Sequence, residues 1–377
     1  MKNLVIIYGG RSVEHDVSIL TGLHAARNIV GYKVHLVYLT RDGGMLTGRA
    51  LCDINYYTNG VGRAIECFFL KRTLFRKRLF VHKIAHVDAI LNCCHGGVGE
   101  NGELAGFFAV QGIPITSCDY ISAANMQSKT RTKEILGAAG FLQAKYRSIS
   151  KEEFSRLKFE ELIPFCKQIF EDLGVKVIVK PDTLGSSIGI NVATDEQKLG
   201  EALTLVFIVD NKAIIEEYFE GIKEINCSVF RDKCKVRVSK CEVIKNDKQV
   251  FDFETKYLDA GSGFTTKQNR KKINNAQETN DMKVLYKEIQ ELTRKSYILF
   301  GAHGVVRADF MVVDGKVYLN EINTVPGFLS YHLWLQSGIP YAVLIDMLVK
   351  QAISDNSHTL NTYFKSGILE KNRDLIQ

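Results

Sequence analysis

An α/β fold opening with a doubly wound domain is predicted by three features of this sequence. Continuous apolar runs end in glycine or polar turns, as buried parallel strands do; helical spacing follows the first of them; and strand–helix alternation continues up to about residue 120. A length of 377 residues fits two to three domains, and 46% hydrophobic with 24% charged residues is the balance of a globular chain. No apolar run is long enough for a membrane-spanning helix, and "MKNLVIIYGG" is too short and too soon polar for a secretory signal. The nine cysteines are scattered, with only Cys93 and Cys94 adjacent and no CxxC pair. That pattern argues against a zinc site or disulfide framework and for a reducing compartment, so a cytoplasmic location is expected.

Taken in order, "LVIIY" (4–8) is a buried strand ending in Gly9-Gly10. A helix follows through "SVEHDVSILTGLHAARNI", with apolar positions Val17, Leu20, Leu23 and Ile29. "VHLVYLT" (34–40) and "VDAILNCCH" (87–95) are two further strands, and "LAGFFAVQ" (104–111) is a helix. A second region, 121–218, begins with one helix over "SAANMQSKTRTKEILGAAG" and continues through polar helical stretches around 150–172 to the strand "VKVIVK". A helix starting at Thr194 is expected there, with Thr194 and Gln197 as a capping box. Strands dominate a third region, 219–352, which also carries an amphipathic helix over 278–298; residues 353–377 form a polar tail.

Two stretches carry chemistry. In "IVKPDTLGSSIGI" (178–190), Lys180 ends an apolar strand and precedes Gly185, Ser186, Ser187 and Gly189. Such a loop lets backbone N–H groups approach an anion while the lysine supplies charge, although a plain hairpin turn reads equally well from this stretch alone. It is not the common phosphate loop, whose lysine follows the glycines and opens a helix. The second stretch, "VVRADFMVVDGKVYLNEINTVPG" (305–327), is a hairpin about Asp314-Gly315. A two-residue turn would pair Asp309 with Asn320, whereas a three-residue Asp314-Gly315-Lys316 loop pairs Asp309 with Glu321 and Arg307 with Asn323. The second register is expected. It gathers Asp309, Glu321 and Asn323 as hard oxygen ligands for Mg²⁺ (or Mn²⁺), although this stretch alone also reads as a polar hairpin face with an internal Arg–carboxylate pair; together with the glycine loop it makes Mg–nucleotide the economical reading.

The net charge of +7 rests partly on "LKRTLFRKRLFVHK" (70–83) and "KQNRKK" (267–272). The first alternates apolar and basic residues, as a solvated strand face does. Small-molecule substrates are therefore expected rather than nucleic acid or a membrane, with a homodimer as the open alternative for assembly.

In family order, five motifs resemble those of the D-alanine–D-alanine ligases, members of the ATP-grasp enzymes: "GGRSVEHDVS" (9–18), "HGGVGENGELAG" (95–106), "VKPDTLGSSIGI", "FDFETKY" (251–257) and "RADF…YLNEINTVPG". The resemblance implies a substrate-side domain over 1–120 and two ATP-grasp subdomains over 121–218 and 219–352, with nucleotide held between the latter two. It also implies a two-step reaction serving peptidoglycan precursor synthesis: a first D-alanine is phosphorylated by ATP, and the amine of a second displaces the phosphate.

Residue by residue, the resemblance makes Glu14 the partner of the first substrate's ammonium and places His95 near that substrate. Lys129 and Lys180 match the ATP-phosphate lysines, with one extra residue before Lys129. Glu216 and Tyr218 fall beside the adenine, and Glu224 matches the ribose-binding glutamate. Ser186 matches a serine linked to Glu14 and to Tyr257 of a mobile loop, where Lys256 would reach the phosphate. Arg307 and the Gly327 N–H suit the oxyanion, since a guanidinium donates two parallel hydrogen bonds. Two departures concern the second substrate. His332 stands where the family usually has a carboxylate-binding serine, and no proline lies between Pro181 and Pro326, so the mobile loop reads "LDAGSGFTTKQNRKK". A relative joining D-alanine to D-serine or another D-amino acid is the near alternative. A non-catalytic nucleotide binder is the distant one, and the lack of GxGxxG counts against a dinucleotide-dependent oxidoreductase.

Overall fold

The computed structural model describes residues 1–244 and 280–356. Lys256, Tyr257, the "FDFETKY" and "KQNRKK" segments and all but the first residues of the polar tail lie outside them.

Three sheets organise the described residues. In the first, β1 (Lys2–Gly9) is central and parallel to both β2 (Tyr32–Leu39) and β7 (Ala89–Asn92). Leu4 through Tyr8 are fully buried, as a strand covered on both faces requires. Helix α1 (His15–Asn28) packs against this strand. The sheet is then extended by an antiparallel meander, β3 (Met45–Thr47), β4 (Ile65–Leu70), β5 (Thr73–Lys77) and β6 (Val81–His86). The alternating basic stretch at 70–83 forms strands here. A short helix α2 (Asn55–Asn59) lies within the meander, and α3 (Glu103–Val110) follows β7.

The helix expected over 122–140 is two helices, α4 (Tyr120–Gln127) and α5 (Lys129–Ala138). Ser128 breaks it: its backbone is extended, and its Oγ accepts the Arg131 N–H while donating to the Asp182 carboxylate at 2.6 Å. A serine offered a cap and an external acceptor leaves the helix, and its propensity permits that.

The second sheet has the order β10-β9-β11-β8, from β8 (Tyr146–Ser150), β9 (Val177–Pro181), β10 (Asn191–Ala193) and β11 (Lys212–Glu217). Helices α6 (Lys151–Arg156), α7 (Phe159–Leu173) and α8 (Glu196–Val209) accompany it, with Val177, Val179, Ala213 and Ile215 buried in a core shared with α7 and α8. The cap of α8 is Asp195, not Thr194. The Asp195 carboxylate accepts the Lys198 N–H at 2.9 Å, and a charged acceptor at a helix N-terminus outcompetes the neighbouring hydroxyl.

The third sheet has the order β13-β12-β14-β15, from β12 (Lys223–Asp232), β13 (Lys235–Val243), β14 (Val306–Val313) and β15 (Lys316–Asn323). Ile225, Cys227, Ala308, Phe310, Leu319 and Ile322 face a core completed by α4, α5 and α9 (Asn280–Leu299). Arg307, Asp309 and Asn323 therefore project from the opposite face. Helices α10 (Tyr331–Gln336) and α11 (Tyr341–Asn356) close the chain against this sheet and the first.

The β14–β15 hairpin reaches the expected register by a different route. Val313 pairs with Lys316, so the turn is the two-residue one, with Asp314 and Gly315 both left-handed (φ 49° and 76°). Pairing continues to Phe310 with Leu319, and then Asp309 faces Glu321 and Arg307 faces Asn323. Asn320 is the extra residue of a β-bulge, which resets the register that the tight turn alone would have spoiled.

Candidate active site

The three sheets meet at a small polar cavity lined by Glu14, His95, Glu100, Ser186, Arg307, Asn323 and Gly327, among others. Glu14 precedes α1 but does not cap it with its side chain, which turns into the cavity instead. There it accepts a hydrogen bond from Ser186 Oγ, across 172 positions of sequence. Ser186 sits in the loop joining the antiparallel strands β9 and β10, so the glycine-rich segment is a flap reaching onto the first domain. Both Ser186 and Ser187 hold left-handed backbones (φ 55° and 59°), a strained turn of the kind found at ligand clamps.

The cavity's other walls are tied together closely. At Gly96 (φ 64°) a Cβ would stand 2.4 Å from Ser12 Oγ and 2.8 Å from Glu14 Oε2, so only glycine lets this loop close on Glu14. His95 bonds Val325 O through Nδ1 (2.7 Å) and Thr21 Oγ1 through Nε2 (2.7 Å). Burial lowers its pKa and keeps the ring neutral. A carbonyl can only accept, so Nδ1 carries the proton and Nε2 accepts from the threonine. Both nitrogens are thus committed to protein, and His95 joins the first domain to the segment after β15 while one side of its ring lines the cavity.

Arg307 holds Asp309 through two bonds, Nε to Oδ1 (2.6 Å) and a terminal nitrogen to Oδ2 (2.7 Å), while Asn323 Nδ2 donates to the same Oδ2 at 3.0 Å. Glu321 stands opposite Asp309 in the pairing. Glu224 faces Met311 on the neighbouring strand, two positions from Asn226, which faces Asp309. Tyr218 follows β11, with Lys176 Nζ 3.8 Å from the centre of its ring. His332 lies on α10 with Nε2 2.9 Å from Glu242 Oε2, and it is not part of the cavity lining.

On the second sheet, Lys180 Nζ donates to Glu216 Oε2 at 2.7 Å and stands 3.4 Å from Asn320 Oδ1. Lys133, from α5, approaches the other Glu216 oxygen at 3.4 Å. Burial alone would raise the Glu216 carboxyl, but Lys180 and Lys133 overrule it and hold it down to about 2. Lys129 Nζ donates to Leu184 O (2.5 Å) at the root of the flap, and burial lowers its pKa against the pull of Glu321 first and other carboxylates after it.

Sequence reasoning missed two of these residues. Lys133 follows Lys129 by one helical turn, the (i, i+4) spacing that places two side chains on one face, and that spacing was the available signal. Glu100 lies inside a quoted motif yet was given no role. It is buried in the cavity, and burial, with Glu14 next, pushes its carboxyl well above the ordinary range. Among the described residues, no cluster of three or more His, Cys, Asp or Glu side chains forms a ready metal cage.

Comparison with known proteins agrees with this architecture. The family model for the D-ala D-ala ligase N-terminus matches residues 3–118, and that for the C-terminus matches residues 135–350. D-alanine–D-alanine ligase from Thermosipho melanesiensis is 31% identical over 94% of this chain and 94% of its own, and that from Bacillus velezensis 29% over 92% and 96%. Among solved structures, the D-alanine–D-alanine ligase of Coxiella burnetii superposes with a TM-score of 0.77 at 21% identity, covering all of both chains. The VanG D-Ala:D-Ser ligase of Enterococcus faecalis gives 0.74 at 24%, over 93% of this chain and 99% of that one. The Bacillus anthracis D-alanine–D-alanine ligase complexed with ATP gives 0.64 at 22%, over 95% and 99%. At these identities the structures establish the ATP-grasp fold, and the sequence matches establish more: the chain belongs to the D-alanine–D-alanine ligase family.

Proposed function

We propose that this chain joins two D-alanines at the expense of ATP, through an acyl phosphate, to supply a peptidoglycan precursor in the cytoplasm. The observation that carries the reading is the Ser186–Glu14 hydrogen bond, which brings the flap onto a carboxylate in the cavity that also holds Arg307 and Gly327. All nine cysteines are free, in keeping with a reducing compartment.

In this reading Lys129, Lys133 and Lys180 face the triphosphate, with Glu216 keeping two of them in place. Glu14, oriented by Ser186, holds the first substrate's ammonium. A carboxylate oxygen of that substrate bonds to the γ-phosphorus as the bond to ADP breaks. The second substrate's ammonium gives one proton to solvent; the amine so formed bonds to the acyl carbon, and phosphate leaves with the C–O electron pair and the amine's second proton. Arg307 and the Gly327 N–H donate to the oxyanion between those events. Two carboxylates and an amide oxygen, from Asp309, Glu321 and Asn323, are a hard set that fits Mg²⁺ or Mn²⁺. Both oxygens of Asp309 are engaged by Arg307, so the same motion that frees Asp309 for a cation frees the guanidinium for substrate. When bound, such a cation neutralises phosphate oxygens.

A panel of D-amino acids, with phosphate release followed and products identified by mass, tests the proposal. D-Alanyl-D-alanine from D-alanine and ATP is the expected product. Turnover only with a mixed pair such as D-alanine and D-serine would replace the acceptor, and no turnover with any pair would leave a binder. Arg307→Ala is expected to lower kcat by at least about a hundredfold, as loss of an oxyanion donor does.

A further inference from the structure

Of the nine cysteines, one pair is directly opposed across two strands among the described residues: Cys227 of β12 faces Cys241 of β13. The Ile244 N–H donates to Glu224 O at 2.9 Å, which makes Glu224 and Ile244 a hydrogen-bonded pair. Such pairs alternate with non-hydrogen-bonded ones along an antiparallel ladder, and Cys227 and Cys241 fall at a non-hydrogen-bonded position. Cα atoms there stand about 4.5 Å apart, with the side chains at their closest. That separation lies inside the range of about 4.4–6.8 Å that a disulfide spans. The two thiols are in hydrogen-bond contact. Each also reaches a carbonyl at 3.7 Å, Cys227 Sγ that of Ser239 and Cys241 Sγ that of Tyr286 on α9.

The two sulfurs differ in what they can do. Cys241 is partly exposed and Cys227 is fully buried, so a small oxidant meets Cys241 first. The Cys227 thiol is held below its ordinary value by the hydrogen bond from Cys241 above all, against burial and with help from Thr293 and Ser239. It is thus suited to resolve an oxidised neighbour. With hydrogen peroxide, Cys241 Sγ bonds to one oxygen as the O–O bond breaks, and the other oxygen leaves as water with that thiol's proton. Cys227 Sγ then bonds to Cys241 Sγ, the S–O bond breaks, and a second water carries off the Cys227 proton. One peroxide has taken two electrons from two thiols.

Such a bond would lie directly behind the active face. Strand β12 runs between β13 and β14, and Cys227 sits on its core side between Asn226, opposite Asp309, and Ser228, opposite Arg307. Covalent joining brings the sulfurs closer than thiol contact allows and draws β12 toward β13. A close-packed core passes that shift to the neighbouring strand.

We propose that Cys227 and Cys241 close a reversible disulfide under peroxide, and that the bond slows the reaction at Arg307 and Asp309. The disulfide stands on the strand geometry, whereas the slowing rests on the ligase reading above. Transient bridges are the kind that reducing compartments permit.

The test treats the reduced full chain with hydrogen peroxide, alkylates the remaining thiols, maps peptides by mass and follows dipeptide formation from D-alanine and ATP. A linked Cys227–Cys241 peptide, lighter by two hydrogens, is expected. Turnover should fall by up to about a hundredfold, the scale of a 1 Å misplacement, and return with dithiothreitol. Cys241→Ser, at a partly exposed position, should match reduced wild type and keep its rate under peroxide. Oxygen added at Cys241 with no bridge, or a bridge between other cysteines, overturns the inference. So does a bridged chain with undiminished turnover, or a Cys241→Ser variant that peroxide slows as much as wild type. Reduced wild type that makes no dipeptide overturns the ligase reading and the slowing with it, while the linked peptide still decides the disulfide.

Discussion

Two buried glutamates, Glu216 of the second sheet and Glu100 of the cavity, live in opposite electrical surroundings. Glu216 lies between Lys133 and Lys180 and is held as an anion down to about 2. Glu100, equally enclosed, has burial and then the carboxylate of Glu14 against it, and its carboxyl is pushed well above the ordinary range. Residue type and depth are the same, so the neighbours decide. Around Glu216 the chain keeps permanent charge, which ties down two ammonium groups that the proposed reaction turns toward a triphosphate. At Glu100 it favours the protonated carboxyl.

The largest effect that could break this contrast is on stability. Glu216→Gln leaves two buried lysines without their anion and should cost about 3–5 kcal/mol in denaturant unfolding. ATP should recover part of that loss, because phosphates would supply the missing charge. A loss below about 1 kcal/mol, or none recovered by ATP, would mean that Glu216 does not organise the lysines.

The smaller effect concerns pH, and the two glutamates differ in sign. The Glu216 carboxyl lies below its ordinary value of 4.5, so its contribution is present above that value and fades as pH falls toward about 2. The Glu100 carboxyl is raised above 4.5, so its contribution is full below that value and is lost as pH rises through the folded-state pKa. Glu100→Gln cannot ionise. Relative to wild type it should therefore gain stability as pH rises from 4.5 through the folded-state pKa of Glu100 in matched urea titrations. Parallel curves for the two proteins would show that Glu100 carries no extra proton in the fold.

Much of this arrangement was legible in the residues, and the failures have physical causes. Apolar runs revealed the buried parallel strands because burial on both faces leaves no other composition. The pairing of Asp309 with Glu321 was expected, but through a three-residue loop. Sequence carries little sign of a bulge, and the bulge at Asn320 let the more favourable two-residue Asp-Gly turn coexist with that register. The break at Ser128 depends on Asp182, more than fifty positions away, and no local propensity encodes that partner. Lys133 escaped notice because a lysine on a polar helix reads as solvated, whereas this one is 2% exposed. The Ser186–Glu14 link came from family resemblance, since nothing in either segment names the other.

In the proposed reaction the flap and the acidic hairpin face one another across a bound triphosphate. The most direct measurement is the anomalous scattering of Mn²⁺ in crystals grown with a non-hydrolysable ATP analogue. The expected result is a peak at Asp309 and Glu321, with the triphosphate between them and the Ser186 loop. A nucleotide bound elsewhere, with the cleft between Ser186 and Arg307 empty, would contradict it.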